Sequence, residues 1–81
     1  MAATKTIFDR RYVKFIAGLV GLRNNNKWSQ RKLAEVLKIS LTSVARIELR
    51  ERRLDLIETI DYLRALGLTR AEIVKKISEL V

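Results

Sequence analysis

Apolar residues recur at three- and four-residue intervals in five separate stretches, the spacing that places them on one side of a helix. From Ile7 to about Arg23 the series is Phe8, Tyr12, Phe15, Ile16, Leu19, Val20 and Leu22, with Thr6 as the expected cap. Gly18 and Gly21 lie inside this helix, where each costs roughly 1 kcal/mol against Ala. Close approach of another helix is the expected reason. Asn24-Asn25-Asn26 is expected to end it, because Asn tolerates the left-handed conformation of a C-terminal cap. A second helix, from Ser29 to about Leu37, turns Leu33, Ala34 and Leu37 inward and leaves Arg31, Lys32 and Glu35 in water. A third, from about Leu41 to Leu49, buries Val44 and Ile47. The fourth follows Asp55 with Leu56, Ile57, Ile60, Leu63 and Leu66, and stops at Gly67; the fifth follows Thr69 with Ile73, Val74, Ile77, Leu80 and Val81. The fold class is therefore all-α, one domain over residues 1–81, with 1–5 as a loose arm.

The helix starts follow from capping chemistry. Ser29 and Ser40 can each accept a first-turn backbone N–H, and each follows a large apolar residue, Trp28 or Ile39. Leu33 and Val44 stand four positions beyond, so both starts fit a hydrophobic staple, which places Trp28 in the core. Asp55 with Glu58, and Thr69 with Glu72, put an acid three residues after the cap, where it complements the positive end of the helix dipole. The second and third helices lack such an acid: Gln30, Arg31 and Lys32 follow Ser29, and Leu41, Thr42 and Ser43 follow Ser40. Two open, positively biased helix ends are suited to an external anion, phosphate above all. The plainer alternative is that Arg31 and Lys32 form only a solvated face.

Charge sharpens this picture. Of the net +8, residues 23–53 carry +6, residues 1–22 carry +3 and residues 54–81 carry −1. The excess lies on and just before the second and third helices, at Lys27, Arg31, Arg46, Arg50, Arg52 and Arg53, as in a footprint for a polyanion. Cysteine and histidine are absent, and no apolar run approaches the ~20 residues that span a bilayer. No cofactor, metal or catalytic group is expected. The scattered carboxylates assemble no nucleophile and base, which argues against an enzyme. Stripes shared among five capped helices describe a globular core and not a membrane-surface peptide. A cytoplasmic location, bacterial or phage-encoded, is expected.

Steps of 100° along the third helix set Thr42, Ala45, Arg46 and Leu49 opposite Val44 and Ile47, with Leu41 at the margin. Ala45 is small enough for close approach to a groove. Thr42 can hydrogen-bond a base edge, Arg46 can make the two-pronged contact to guanine, and Leu41 can touch a thymine methyl. For Leu41 and Leu49 the alternative is additional packing.

The run Ser29-Gln30-x-x-Leu33-Ala34, then Ile39-Ser40, Val44, Ile47-Glu48 and Leu63-x-x-Leu66-Gly67, resembles the lambda-repressor-like helix-turn-helix domains, the Cro/CI or XRE family. The resemblance covers about two-thirds of the chain without gaps. It implies a compact five-helix domain whose second and third helices form the helix-turn-helix. It further implies that Ser40, Leu41, Thr42, Ser43 and Arg46 face DNA, that Gln30 touches a phosphate and steadies the start of the next helix, and that Arg50, Arg52 and Arg53 lie along the phosphate backbone. The sequence departs from the family at Lys38 in the turn and at Arg50 after the third helix, where the family usually or often has Gly. Positive φ at either position would disfavour the residue present. The function expected is a sequence-specific double-stranded-DNA-binding transcriptional regulator, a repressor of phage or mobile-element type. It would bind a roughly palindromic operator as a homodimer with third helices ~34 Å apart. The apolar fifth helix either provides the dimer contact or simply closes the core. The alternative function is an antitoxin that binds its own promoter and a protein partner, the toxin.

Overall fold

Polar caps decide where the helices begin. In the computed structural model, which describes residues 8–81, five helices are seen: α1 (Arg10–Asn25), α2 (Gln30–Leu37), α3 (Leu41–Glu48), α4 (Leu56–Ala65) and α5 (Arg70–Ser78). Ser29, Ser40, Asp55 and Thr69 stand at the N-caps of α2 to α5, and each side chain accepts the backbone N–H three residues on. Asp55 with Glu58 and Thr69 with Glu72 close full capping boxes.

The first helix begins later than its apolar pattern predicts. Asp9 caps it, accepting the Arg11 N–H at 2.8 Å, and the Arg11 guanidinium grips both carboxylate oxygens at 3.0 Å. A charged acceptor at the positive helix end is the stronger stop signal. Phe8 accordingly lies outside the helix and is 75% exposed, off the buried stripe, and the expected Thr6 cap and the arm at 1–5 fall outside the described residues. Hydrogen bonds from the Arg11 side chain, and then from its backbone N–H, hold the Asp9 carboxyl well below the usual range, at about 2.

The helix ends share one form, which departs from expectation at α1 and meets it at Gly67. Asn24 and Asn25 stay helical and Asn26 has φ −78°; the left-handed residue is Lys27, at φ 59°. Its N–H reaches Asn24 O while the Trp28 N–H reaches Arg23 O, the paired bonds of a Schellman ending. The same pair of bonds closes α2 at Lys38 (φ 59°), α3 at Arg50 (φ 60°) and α4 at Gly67 (φ 93°). Lys38 and Arg50 thus adopt the positive φ that glycine would take more cheaply, and the expected turn is made without it.

The core gathers Phe15, Ile16 and Leu19 of α1, Leu33 and Ala34 of α2, Val44 and Ile47 of α3, and Tyr62, Leu63 and Leu66 at α4, with Leu54 and Ile73. Trp28 packs against it half-buried. α2 packs on α3 and α4, α1 packs on α3, and α5 rests on α4. In α4 the buried side chains include Thr59 and Tyr62, whereas Leu56 and Ile57 are 62% and 65% exposed, because the first turn of α4 projects beyond the core. The glycines of α1 are not there for helix approach. A Cβ at Gly21 would meet nothing within 4 Å, and one at Gly18 would meet only the end of the Lys76 side chain, at 3.6 Å.

Candidate nucleic-acid interface

The short turn Lys38–Ser40 joins α2 to α3, so the two helices form one rigid corner whose inner side is Leu33, Ala34, Val44 and Ile47. Val44 and Ile47 are 0% and 1% exposed, which fixes the rotation of α3 about its axis. That rotation turns Thr42 and Arg46 fully outward, leaves Ser43 and Ala45 half-buried on the flanks, and leaves Leu41 at the margin, 38% exposed. Leu49, one residue beyond the helix, is 64% exposed, so the packing alternative fails for it. The outer face of α3 is therefore a ridge of one hydroxyl, one small residue, one guanidinium and one aliphatic margin.

At the front of α3 the serines hold each other. The Ser43 N–H donates to Ser40 Oγ at 3.0 Å, and the Ser40 hydroxyl donates to Ser43 Oγ at 2.9 Å. Both side chains are thereby fixed beside the N-terminus of α3, where no acid stands in the first turn. At the front of α2, Ser29 Oγ accepts the Lys32 N–H at 3.0 Å, and the Lys32 ammonium lies 5.8 Å from the centre of the Trp28 ring. This cation–π contact restrains a lysine on the same face as Arg31.

Behind this face sits a polar cluster that local spacing does not reveal. Glu48, at the last turn of α3, accepts Arg23 Nε at 2.7 Å, Arg23 Nη2 at 3.0 Å and Gln30 Nε2 at 2.8 Å. Arg23 also donates through Nη1 to Trp28 O at 2.7 Å. The Arg23 and Glu48 side chains are 12% and 7% exposed. One carboxylate thus ties the end of α1, the start of α2 and the end of α3. Among the described residues the Gln30 amide steadies the last residue of α3, donating to the buried charge of Glu48. The Tyr62 hydroxyl is buried without a hydrogen-bond partner among the described residues, and burial first, then the charge of Glu48, keeps the phenol protonated to above its ordinary range.

The remaining cations form the rim. Arg31 and Arg46 are exposed and have no ion-pair partner among the described residues, and Lys27 and Lys38 project from their left-handed turns into solvent. In the loop after α3, Arg50 is half-buried with its Nε in no hydrogen bond among the described residues, Arg52 pairs with Glu58 at 2.6 Å, and Arg53 is exposed. No group of His, Cys, Asp or Glu among the described residues could hold a metal ion.

Two helices set at a corner by a left-handed turn, with the second laid outward under a basic rim, define a helix-turn-helix protein. Over residues 21–79 the chain matches the family model described as helix-turn-helix, and it belongs to that family in its lambda-repressor-like, XRE branch. It is thus a DNA-binding transcriptional regulator of the XRE type. No curated protein and no solved structure matches it. No helix among the described residues is long and apolar enough to cross a membrane.

Proposed function

We propose that the protein is a sequence-specific repressor that lays α3 in the major groove of an operator. The observation that carries this reading is the rotation of α3: burial of Val44 and Ile47 at 0% and 1% leaves Thr42 and Arg46 on the opposite, open face. On this reading Leu41, Thr42, Ser43, Ala45 and Arg46 meet base edges. Lys27, Arg31, Ser40, Arg50, Arg52 and Arg53 hold phosphates, as does Gln30 through whatever its amide leaves free beyond Glu48. Repression follows from occupancy, since an operator covered by protein is closed to polymerase.

The reader and the rim are separated by one experiment. Selection of bound duplexes from a random pool identifies the operator, and binding to it and to random DNA is then measured for two variants across a salt series. Arg46→Ala should lower operator affinity by roughly 1–3 kcal/mol and leave random-duplex binding nearly unchanged. Arg52→Ala should weaken both equally and flatten the salt dependence by about one unit of slope. Loss of its half-buried pair with Glu58 should cost folding about 1 kcal/mol or less, since Glu58 keeps its capping-box bond from the Asp55 N–H. Equal behaviour of the two variants would overturn the assignment.

A homodimer completes the reading, with two copies on a roughly palindromic site. The α5 helix spends most of its apolar face on the core, with Ile73 buried and Ile77 and Leu80 packed against it, while Val74 is 61% exposed. Leu56 and Ile57, which directly follow the phosphate-contact loop and are more than half exposed, are the better contact.

A further inference from the structure

Away from the reader face, α5 leans on α4 and leaves a hollow of about 440 Å³ between itself and the N-terminal half of α1. Its lining is Arg11, Lys14, Phe15, Lys76, Glu79 and Leu80. The floor is apolar: Phe15 is 8% exposed and Leu80 packs half-buried against the core. The walls carry three cations against one acid. None of the six residues belongs to the helix-turn-helix corner or its rim, so the DNA-binding reading leaves this hollow unused.

The state of each charge says what the hollow lacks. Arg11 is held by Asp9 and reaches across to Leu80 O at 3.4 Å, joining the two helices at one end. Lys76 is the informative group. Its side chain is only 31% exposed, it lies over Gly18, and its ion-pair partner among the described residues, Glu79, is 3.8 Å away, the outer limit of such a pair, while Glu72, one turn back along α5, is spent on the Thr69 cap. A partly desolvated ammonium with so distant a counter-charge gains from a closer anion. Lys14 faces it from α1, exposed and with no ion-pair partner among the described residues. The volume is that of a small-molecule site, for which an apolar bed with a few convergent polar groups is the usual composition. A second hollow of about 300 Å³ adjoins along α5 at Leu22, Leu68, Glu72 and Lys75, and shares Lys76 and Glu79, so an apolar body has room to extend over Leu22 and Leu68.

We propose that the hollow between α1 and α5 binds a small amphipathic anion, its carboxylate or phosphate head between Lys14 and Lys76 and its apolar body on Phe15 and Leu80. A bare anion would leave the apolar floor wet, and a cation would meet Lys14 and Lys76 with only Glu79 in the lining to offset them, Arg11 being already paired with Asp9. The regulator then carries an effector site separate from its DNA face.

The test is a two-dimensional NMR titration of the full chain with four probes below their micelle concentrations: octanoate, octyl phosphate, octanol and octylamine. Both anions should give saturable shifts at Phe15, Gly18 and Leu80, octanol should bind about tenfold more weakly or less, and octylamine should not saturate. Lys14→Glu, an exposed change that leaves the core intact, should weaken octanoate about tenfold, and Lys76→Glu should do the same if that variant folds. Absence of saturation by either anion up to its solubility limit, binding of octanol as tight as octanoate, or shifts centred on α3 would each overturn the proposal. Operator binding is measured separately, so failure here leaves the DNA reading standing.

Discussion

Three cationic side chains occupy backbone positions that an L-residue enters at a cost. Lys27, Lys38 and Arg50 all have φ near +60°, where a non-glycine residue is disfavoured by roughly 1–2 kcal/mol. Part of that cost is offset, since a cation at the negative end of a helix contributes about 0.3–1 kcal/mol. Glycine is placed the other way round in α1, where Gly21 has helical geometry and open space around its Cα. A paired exchange tests the accounting. Gly21→Ala should raise stability by about 1 kcal/mol and Lys38→Gly by about 0.5 kcal/mol, or a few degrees in melting temperature each. Thermal unfolding followed by circular dichroism measures both, and a destabilised Gly21→Ala would mean that an unseen neighbour occupies the space. The residue scale also shows where the sequence is opaque. Lys and Arg do not announce a left-handed turn as Gly67 does, so the Asn run attracts the expectation that belongs to Lys27, one residue beyond it.

Helix starts are legible because a cap and its acceptor lie three residues apart, as at Ser29, Ser40, Asp55 and Thr69. The rotation of α3 is legible for a similar reason, since Val44 and Ile47 suffice to orient its outer face. The tie among helices is not. Arg23 and Glu48 are 25 residues apart and meet only when α1 has packed on α3, and nothing in either segment marks the pair. Its importance follows from burial: removing one partner strands a desolvated charge, at a cost of roughly 3–5 kcal/mol. Arg23→Met should therefore cost about that much in urea unfolding, a large share of the ~4–12 kcal/mol expected for a domain of this length. Adding Glu48→Leu should restore most of it. A single variant that loses less than about 1 kcal/mol would show that Gln30 alone suffices to satisfy Glu48. The helix ends also carry a pH signature. Hydrogen bonds from the Arg11 side chain and backbone lower Asp9 from its ordinary 3.8 to about 2, and the capping box with Thr69 lowers Glu72 from 4.5. A folded pKa below the unfolded one stabilises the helix above the unfolded value, and that contribution is lost as pH falls through the folded value. Amide protection at the first turns of α1 and α5 should then decline on acidification from pH 4.5 toward 2, and Asp9→Asn should abolish the response in α1 alone.

At the scale of the whole molecule, shape and charge together set how two copies can meet. The described domain measures 33 × 29 × 20 Å, while successive major grooves on one side of a duplex recur every ~34 Å. In the proposed dimer, two copies reading adjacent grooves would therefore stand edge to edge with a narrow contact, for which the exposed Leu56 and Ile57 at the head of α4 are the proposed apolar residues. Each copy carries +8, so a free pair would repel itself, and phosphates would relieve that repulsion once both copies were on DNA. Dimerisation should accordingly be weak in free solution at low salt, stronger as salt screens the repulsion, and complete on the operator. Sedimentation at low and high salt measures the first two, and the stoichiometry of the operator complex measures the third. Leu56→Glu combined with Ile57→Glu should abolish cooperative binding to a full site while sparing binding to a half-site. Unchanged cooperativity in that variant, together with its loss in Val74→Glu, would move the contact to α5. A single copy on the full operator under all conditions would remove the dimer from the reading and leave the reader helix in place.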